Sequence, residues 1–166
     1  MLKAISRGID SLNRRQGEVT AMLIFPLLLV VIYEVFMRYV LNRPTIWGFE
    51  VTGFLYGLHY MFGLAYADVH DGHVRVDIFT SRFSGRVRNI IAIVTILLIF
   101  MPVMTPMVIW SVRYAAMSVS QLERNSTSWA PPIWPLKCLM ALTFGLLWLQ
   151  GLSNLLKHIA GLREKE

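Results

Sequence analysis

Charged residues and cysteine are both scarce in this 166-residue sequence. Only 16% of the residues are charged and 55% are hydrophobic, whereas about 25% are charged in a typical soluble domain. This composition excludes an ordinary water-soluble domain and predicts a protein that resides in a lipid bilayer. The single cysteine, Cys138, excludes an internal disulfide and any CxxC redox or zinc motif.

Motifs for catalysis are also missing from the sequence. It has no nucleophile beside a general base, no phosphate-binding loop and no glycine-rich cradle, so we expect neither an enzyme nor a cofactor. The net charge is +6, but the basic residues lie between and beyond the apolar blocks, where they meet lipid headgroups. The charge therefore predicts membrane topology, and no nucleic-acid partner is expected.

Four long apolar blocks dominate what is present. A helix needs about 20 mostly apolar residues to cross the hydrocarbon core, and four stretches have that length: residues 19–40, 47–69, 87–117 and 133–156. None of the four stretches shows the alternation of apolar and polar residues that is typical of barrel strands. In lipid the backbone hydrogen bonds must then be satisfied within helices. The sequence predicts an all-α fold, with residues 1–166 forming one integral membrane domain, a four-helix bundle.

Two amphipathic segments precede the first and third blocks. Residues 2–15 and 74–86 place apolar side chains on one helical face and basic ones on others, which predicts interfacial helices. The second segment begins with the alternating run HVRVDIF, but a lone strand would leave unpaired backbone at the membrane surface. No small-residue cleavage site follows the first block, so we expect that block to remain as an anchor.

The distribution of lysine and arginine predicts the orientation. Eleven of the 16 basic residues lie in the N-terminal tail, the loop after the second block and the C-terminal tail, and five lie on the opposite side. Positive charge concentrates on the cytoplasmic side of membrane proteins. Both termini are therefore expected in the cytoplasm.

Charged residues within the first predicted hairpin are the main candidates for function. Glu34 and Arg38 are four apart on one helix and share a face, and Glu50 begins the next helix. We expect Arg38 to lie between the two carboxylates. Such a group serves either as a proton or ion relay or as a structural clamp and partner contact, and a net-neutral set favours the clamp.

Histidines and glycines give weaker signals. His59 lies in the middle of the second block, without the second histidine at matching depth that haem ligation would need. We therefore expect it to form a hydrogen bond across the bundle. Metal-ligand residue types gather at a helix end and a turn, but aqueous loops often carry such mixtures, so no metal site is predicted: Asp68, His70, Asp71, His73 and Asp77. Gly53 and Gly57 form a GxxxG pair, which permits close approach of another helix.

Three segments together carry a family resemblance. The run EVFMRYVLNRPTIWGFEVTGFLY, residues 34–56, contains Arg38, Trp47 and Glu50; HVRVD spans residues 73–77, and SWAPPIWPLK spans residues 128–137. In this order they resemble the small membrane subunit, the DctQ-like component, of tripartite ATP-independent periplasmic (TRAP) transporters. The last segment is similar to the branch assigned to mannitol or chloroaromatic compounds.

The resemblance implies partners and a role. It implies a large multi-span permease that holds the solute and coupling-ion sites, and a periplasmic binding protein that delivers a small organic acid or similar polar solute. An ion gradient would drive uptake across the bacterial inner membrane, with this chain as a scaffold among membrane lipids. The residues expected to form the partner interface or a structural clamp are Glu34, Arg38, Trp47, Glu50, Gly53, Gly57, His73, Arg75 and Asp77.

Two other functions stay open at this point. An accessory membrane anchor of another complex, such as a respiratory one, would be favoured by matching histidine ligands, which the sequence lacks. A small autonomous transporter acting as a homodimer would transport solute without a larger partner. The order of the three segments favours the TRAP subunit over both.

Overall fold

The computed structural model describes residues 2–70 and 83–163 of the protein. Over these ranges it contains α-helices and no strand, with one isolated bridge between Arg124 and Pro132. A π-helical segment, Ile96–Phe100, joins two of the helices into a continuous rod. The helices are α1 (Leu2–Ala21), α2 (Ile24–Tyr39), α3 (Gly48–Val69), α4 (Gly85–Thr95), α5 (Met101–Ser120) and α6 (Trp134–Arg163).

Three helical stretches are long and apolar enough to cross a membrane: Lys3–Tyr39, Gly85–Ser120 and Trp134–Leu162. The prediction of an all-α membrane bundle is therefore confirmed. Helix α3 has the length of a span, 22 residues, but it is not one of the three, because Glu50, His59 and several tyrosines and glycines make it more polar. The fourth span at residues 47–69 stays a prediction.

Helix α1 is longer and more integrated than the predicted interfacial segment of residues 2–15. It continues to Ala21 and packs against both α3 and α6. Three polar residues at seven-residue spacing are buried on one face of this helix: Ser6, Asn13 and Thr20. They share that face because seven residues make about two helical turns. Its apolar side chains Ile5, Leu12 and Val19 are exposed.

The second predicted interfacial helix, residues 74–86, lies mostly outside the described residues. At its described end Ser84 caps α4, because the serine hydroxyl accepts a hydrogen bond from the amide of Val87 at 3.5 Å. The third long helix therefore begins at Gly85 and runs through the π-helical segment to Ser120, slightly beyond the predicted block of residues 87–117.

Helix α6 is the centre of the bundle, since it packs against α1, α3, α4 and α5. Glycines allow close contact between neighbouring helices at two positions. A Cβ at Gly151 would lie 2.0 Å from the Phe100 ring, and one at Gly17 would lie 2.1 Å from the Tyr66 ring. Both positions therefore need the absence of a side chain, which lets aromatic rings of neighbouring helices press against the backbone.

Candidate functional site

A cluster joins the C-terminal end of α2 to the N-terminal end of α3. We call it the hairpin clamp, and it is formed by Glu34, Arg38, Thr45 and Trp47. The guanidinium Nη2 of Arg38 lies 2.8 Å from the Glu34 carboxylate. The other oxygen of that carboxylate accepts hydrogen bonds from the backbone amide of Thr45, at 3.3 Å, and from the Thr45 hydroxyl. One carboxylate thus connects the last turns of α2 to the loop that begins α3.

A tight turn and an aromatic pair complete this hairpin clamp. Asn42 has φ 51°, a left-handed conformation that asparagine adopts more readily than most residues, and the Arg43 amide donates to the Met37 carbonyl at 2.9 Å. The rings of Tyr33 and Trp47 stack with centroids 5.7 Å apart. The turn reverses the chain and places Trp47 against α2.

Gly48 is needed for this geometry, although no sequence pattern indicated it. Its amide donates to the Thr45 hydroxyl at 3.0 Å. A Cβ at this position would lie 2.6 Å from both Oε2 of Glu34 and Oγ1 of Thr45. Any side chain here would displace the carboxylate from the threonine.

Glu50 has a different partner from the expected one. It is buried, with 9% of its surface exposed, and its carboxylate accepts a hydrogen bond from Asn125 Nδ2 at 3.1 Å. The expectation that Arg38 lies between both carboxylates is therefore wrong. Glu34 holds the α2–α3 hairpin, whereas Glu50 holds the loop between α5 and α6.

That loop, residues 121–133, lies at the end of the bundle where α3 and α6 begin. It is called the outer loop here. The Asn125 amide donates to the Pro131 carbonyl at 2.9 Å, and the Ile133 amide donates to the Glu123 carbonyl at 3.0 Å. Lys137 Nζ lies 2.5 Å from the Glu123 carboxylate. This ammonium lowers the pKa of Glu123 from its ordinary value of 4.5.

A second cluster lies between α1 and α6, and we call it the polar core: Asp10, Asn13, Gln150, Ser153 and Lys157. Asn13 Nδ2 donates to Gln150 Oε1 at 2.8 Å, and Gln150 Nε2 donates to Asp10 Oδ1 at 2.9 Å. The Ser153 hydroxyl also donates to the Asp10 carboxylate, at 2.8 Å. Lys157 Nζ forms an ion pair with the same carboxylate, at 2.8 Å. Asn13, Gln150 and Ser153 are completely buried, so these bonds fix α1 on α6.

Further polar contacts extend this arrangement to α3 and α4. Asn154 Nδ2 donates to the Asp68 carboxylate at 2.8 Å, and His158 Nδ1 lies 3.1 Å from Asn89 Oδ1. His59 Nδ1 lies 3.3 Å from the Thr20 carbonyl, so the expected cross-bundle contact of His59 exists. The result is a frame in which hydrogen bonds connect α6 to three other helices.

The remaining predicted residues fall into two groups. Around a Cβ placed at Gly53 there is no atom within 4 Å, and at Gly57 there is only the Met61 methyl at 3.9 Å. The glycine pair therefore makes no close helix contact within the described chain. His73, Arg75 and Asp77 lie outside the described residues, and the described ones contain no group of three or more possible metal ligands.

The arrangement is suited to holding helices rather than to chemistry. The carboxylates of Glu34, Glu50 and Asp10 each accept hydrogen bonds from neighbouring protein groups. Thr45, Gly48, Asn125 and the polar core were not predicted. A local signal was available only for the α1 side of the polar core, because Asn13 recurs at seven-residue spacing with Ser6 and Thr20.

Comparison with known proteins connects these contacts to a family. A family model described as the DctQ component of tripartite ATP-independent periplasmic transporters matches residues 27–161. A search of curated proteins finds no match. The matched residues contain the whole hairpin clamp, Glu50, the outer loop and the α6 side of the polar core, and they make up well over half of the chain. The chain therefore belongs to the DctQ family of small membrane subunits of TRAP transporters.

Proposed function

We propose that this subunit is a static scaffold for the large permease subunit of its transporter. In this proposal the permease carries the solute and coupling-ion sites, and a periplasmic binding protein delivers a small organic acid or a similar polar solute. An ion gradient drives uptake across the bacterial inner membrane, with both termini of the scaffold in the cytoplasm. Family membership and the geometry of α2 support the proposal.

The observation that carries the proposal is that α2 is apolar along most of its length, up to Tyr33, and has no buried residue. Phe25, Leu29 and Ile32, at helical spacing, are all more than half exposed. An open apolar groove of about 550 Å³ runs along this helix beside Trp47. Such a surface suits a ridge of side chains from another membrane helix.

The exposed glycine pair of α3 supports the same interface. Gly53 and Gly57 leave the backbone uncovered in this chain, and small residues four apart let a partner helix approach closely. We call the exposed faces of α2 and α3 the permease-facing surface, marked by Leu29, Ile32, Gly53 and Gly57. The hairpin clamp holds these two helices together, so it acts on assembly through their geometry.

The polar core supplies the rigidity that a scaffold requires. A permease that moves its transport domain needs a frame that keeps its own shape. Buried hydrogen bonds between helices favour one helix arrangement over others. On the outer side, Leu122 and Trp129 of the outer loop are exposed. We propose that this loop contacts the binding protein.

Co-purification tests the proposal. The tagged chain, expressed with its neighbouring genes and extracted in mild detergent, should recover a large multi-span permease in stoichiometric amount. Gly53→Leu should reduce that recovery strongly, because the side chain would fill the space reserved for the partner helix. Gly145→Leu is the matched control, since Gly145 of α6 is equally open and lies outside the permease-facing surface.

Two results would contradict the scaffold role. Recovery of the chain alone as a stable homodimer with transport activity would favour an autonomous transporter. Recovery of a different membrane complex would favour an accessory anchor. Equal losses for the two glycine variants would leave the scaffold role intact but would disprove the assignment of the permease-facing surface.

A further inference from the structure

A second open groove lies on another side of the bundle, between α5 and α6. It has a volume of about 560 Å³ and is apolar except at Arg113 and Ser111. The other lining residues are aromatic or methionine: Met107, Trp110, Tyr114, Met117, Met140 and Phe144. Unlike the groove along α2, this one has a cation at its edge.

Arg113 is the unusual member of this groove. It is exposed on α5, and within residues 2–70 and 83–163 its side chain has no hydrogen bond or ion pair. It precedes the end of α5 at Ser120 by seven residues, or about 10 Å of helix. A guanidinium at that depth of an apolar span is costly unless its side chain extends to the membrane surface, where water and lipid phosphates lie.

Within residues 2–70 and 83–163, no carboxylate pairs with Arg113. Glu123, the acidic residue that follows α5, is bonded to Lys137. Lys137 also lies over the Tyr114 ring, 3.9 Å from its centroid, so Arg113 and Lys137 flank the same level of the helix pair. The charge of Lys137 is balanced by Glu123, whereas that of Arg113 is balanced by no described carboxylate.

The groove has room for the first part of an acyl chain on one side of Arg113. Its lining on α5 extends from Met107 to Met117, and the stretch from Met107 to Arg113 covers about 9 Å along the helix. That is a little over half of one leaflet, since the hydrocarbon core of a membrane is roughly 30 Å thick. The methionines among the lining residues adapt to a flexible apolar ligand.

We propose that this groove binds an anionic phospholipid, with one acyl chain along Met107, Trp110 and Phe144 and the phosphate on Arg113. The unpaired charge favours a net-negative headgroup such as phosphatidylglycerol over a zwitterionic one. The site rests only on the membrane location of α5 and α6, so it stands or falls separately from the scaffold role.

Lipid retention tests the site. The full chain is purified with its co-expressed partners in mild detergent, exposed to phosphatidylglycerol or phosphatidylcholine, and examined by native mass spectrometry. Wild type should retain phosphatidylglycerol preferentially, and Arg113→Gln should lower this retention about fivefold, equivalent to about 1 kcal/mol for one basic residue. Arg43→Gln, which removes another exposed arginine remote from the groove, should leave retention unchanged. Equal retention of the two lipids, or an unchanged Arg113→Gln, would overturn the proposal.

A photo-cross-linker identifies the occupant independently of charge. Met117 lines the groove and is 61% exposed, so a benzophenone amino acid can replace it without entering the core. Adducts with phospholipid from the native membrane support the site. Adducts with a protein subunit at this position would show that a partner covers the groove, and would overturn the proposal.

Discussion

Helices α1 and α2 follow each other along the chain, but they differ in which side chains they bury. Helix α1 buries Ser6, Asn13 and Thr20 and exposes Ile5, Leu12 and Val19. Helix α2 is mostly apolar and has no buried residue. Polar residues outnumber apolar ones among the buried residues of the described chain, while the apolar surface remains available to lipid and to other membrane helices.

The reason is the solvent. Lipid tails are as apolar as leucine, so burying apolar side chains gives helices in a bilayer little reason to associate. Hydrogen bonds and close packing at small residues hold the helices together instead. Asn13 and Gln150 supply the hydrogen bonds, and Gly17 and Gly151 supply the close packing.

The largest predicted effect breaks the polar core. Gln150→Leu removes the shorter of the two hydrogen bonds of Asn13 Nδ2, which keeps only the Leu146 carbonyl at 3.4 Å, and it removes a donor from Asp10. We expect a loss of about 2 kcal/mol from such weakened buried polar contacts. In detergent this corresponds to a thermal midpoint about 5 °C lower for a chain of this size. Leu142→Ala, on the exposed face of the same helix, should change the midpoint little. Similar shifts for both variants would show that the polar core does not hold the bundle.

A matched pair of glycines sharpens the comparison between the hairpin clamp and the permease-facing surface. Gly48→Ala should destabilise the chain by about 1–2 kcal/mol, because the methyl group collides with Glu34 and Thr45. Gly53→Ala meets open space and should be neutral or slightly stabilising through helix propensity. Thermal unfolding of the subunit in detergent measures both. Equal destabilisation by the two substitutions would contradict the clamp geometry.

Charge removal in the hairpin should act on assembly. Arg38→Ala exposes one side of the Glu34 carboxylate, and Glu50→Ala frees Asn125 and with it the outer loop. Both should lower the yield of complex with the large subunit while the ion-to-solute ratio of the remaining transporter stays unchanged. Arg43→Ala serves as the control, since Arg43 is an exposed neighbour. Normal yield together with an altered ratio would favour an ion relay.

The smallest predicted effect is a pH response of the outer loop. The ammonium of Lys137 holds the pKa of Glu123 below 4.5, so this pair stabilises the folded loop above the unfolded pKa. That contribution is lost as the pH falls through the lowered folded pKa. The protection factors of residues 121–133, which are exchange rates corrected for the intrinsic rate at each pH, should therefore fall in strong acid, and Glu123→Gln should show low protection already at neutral pH. Protection factors of this loop that still fall with pH in the variant would assign the response to another group.

Sequence patterns predicted what depends on neighbours along the chain. The long helices follow from apolar blocks, and the Glu34–Arg38 pair follows from residues four apart on one helix. The contact between Glu50 and Asn125 was not predictable, because the loop that joins them is positioned by tertiary packing. Asn13 and Gln150 lie 137 residues apart, and no local pattern shows that they meet.

We propose that the large permease subunit covers the exposed face of α2. A benzophenone amino acid at Leu29, which is 68% exposed and lines the α2 groove, tests this proposal in membranes that contain the co-expressed transporter. We expect illumination to join this chain to a large multi-span permease, identified by mass spectrometry of the adduct. Adducts with lipid alone, or with a second copy of this chain, would contradict it.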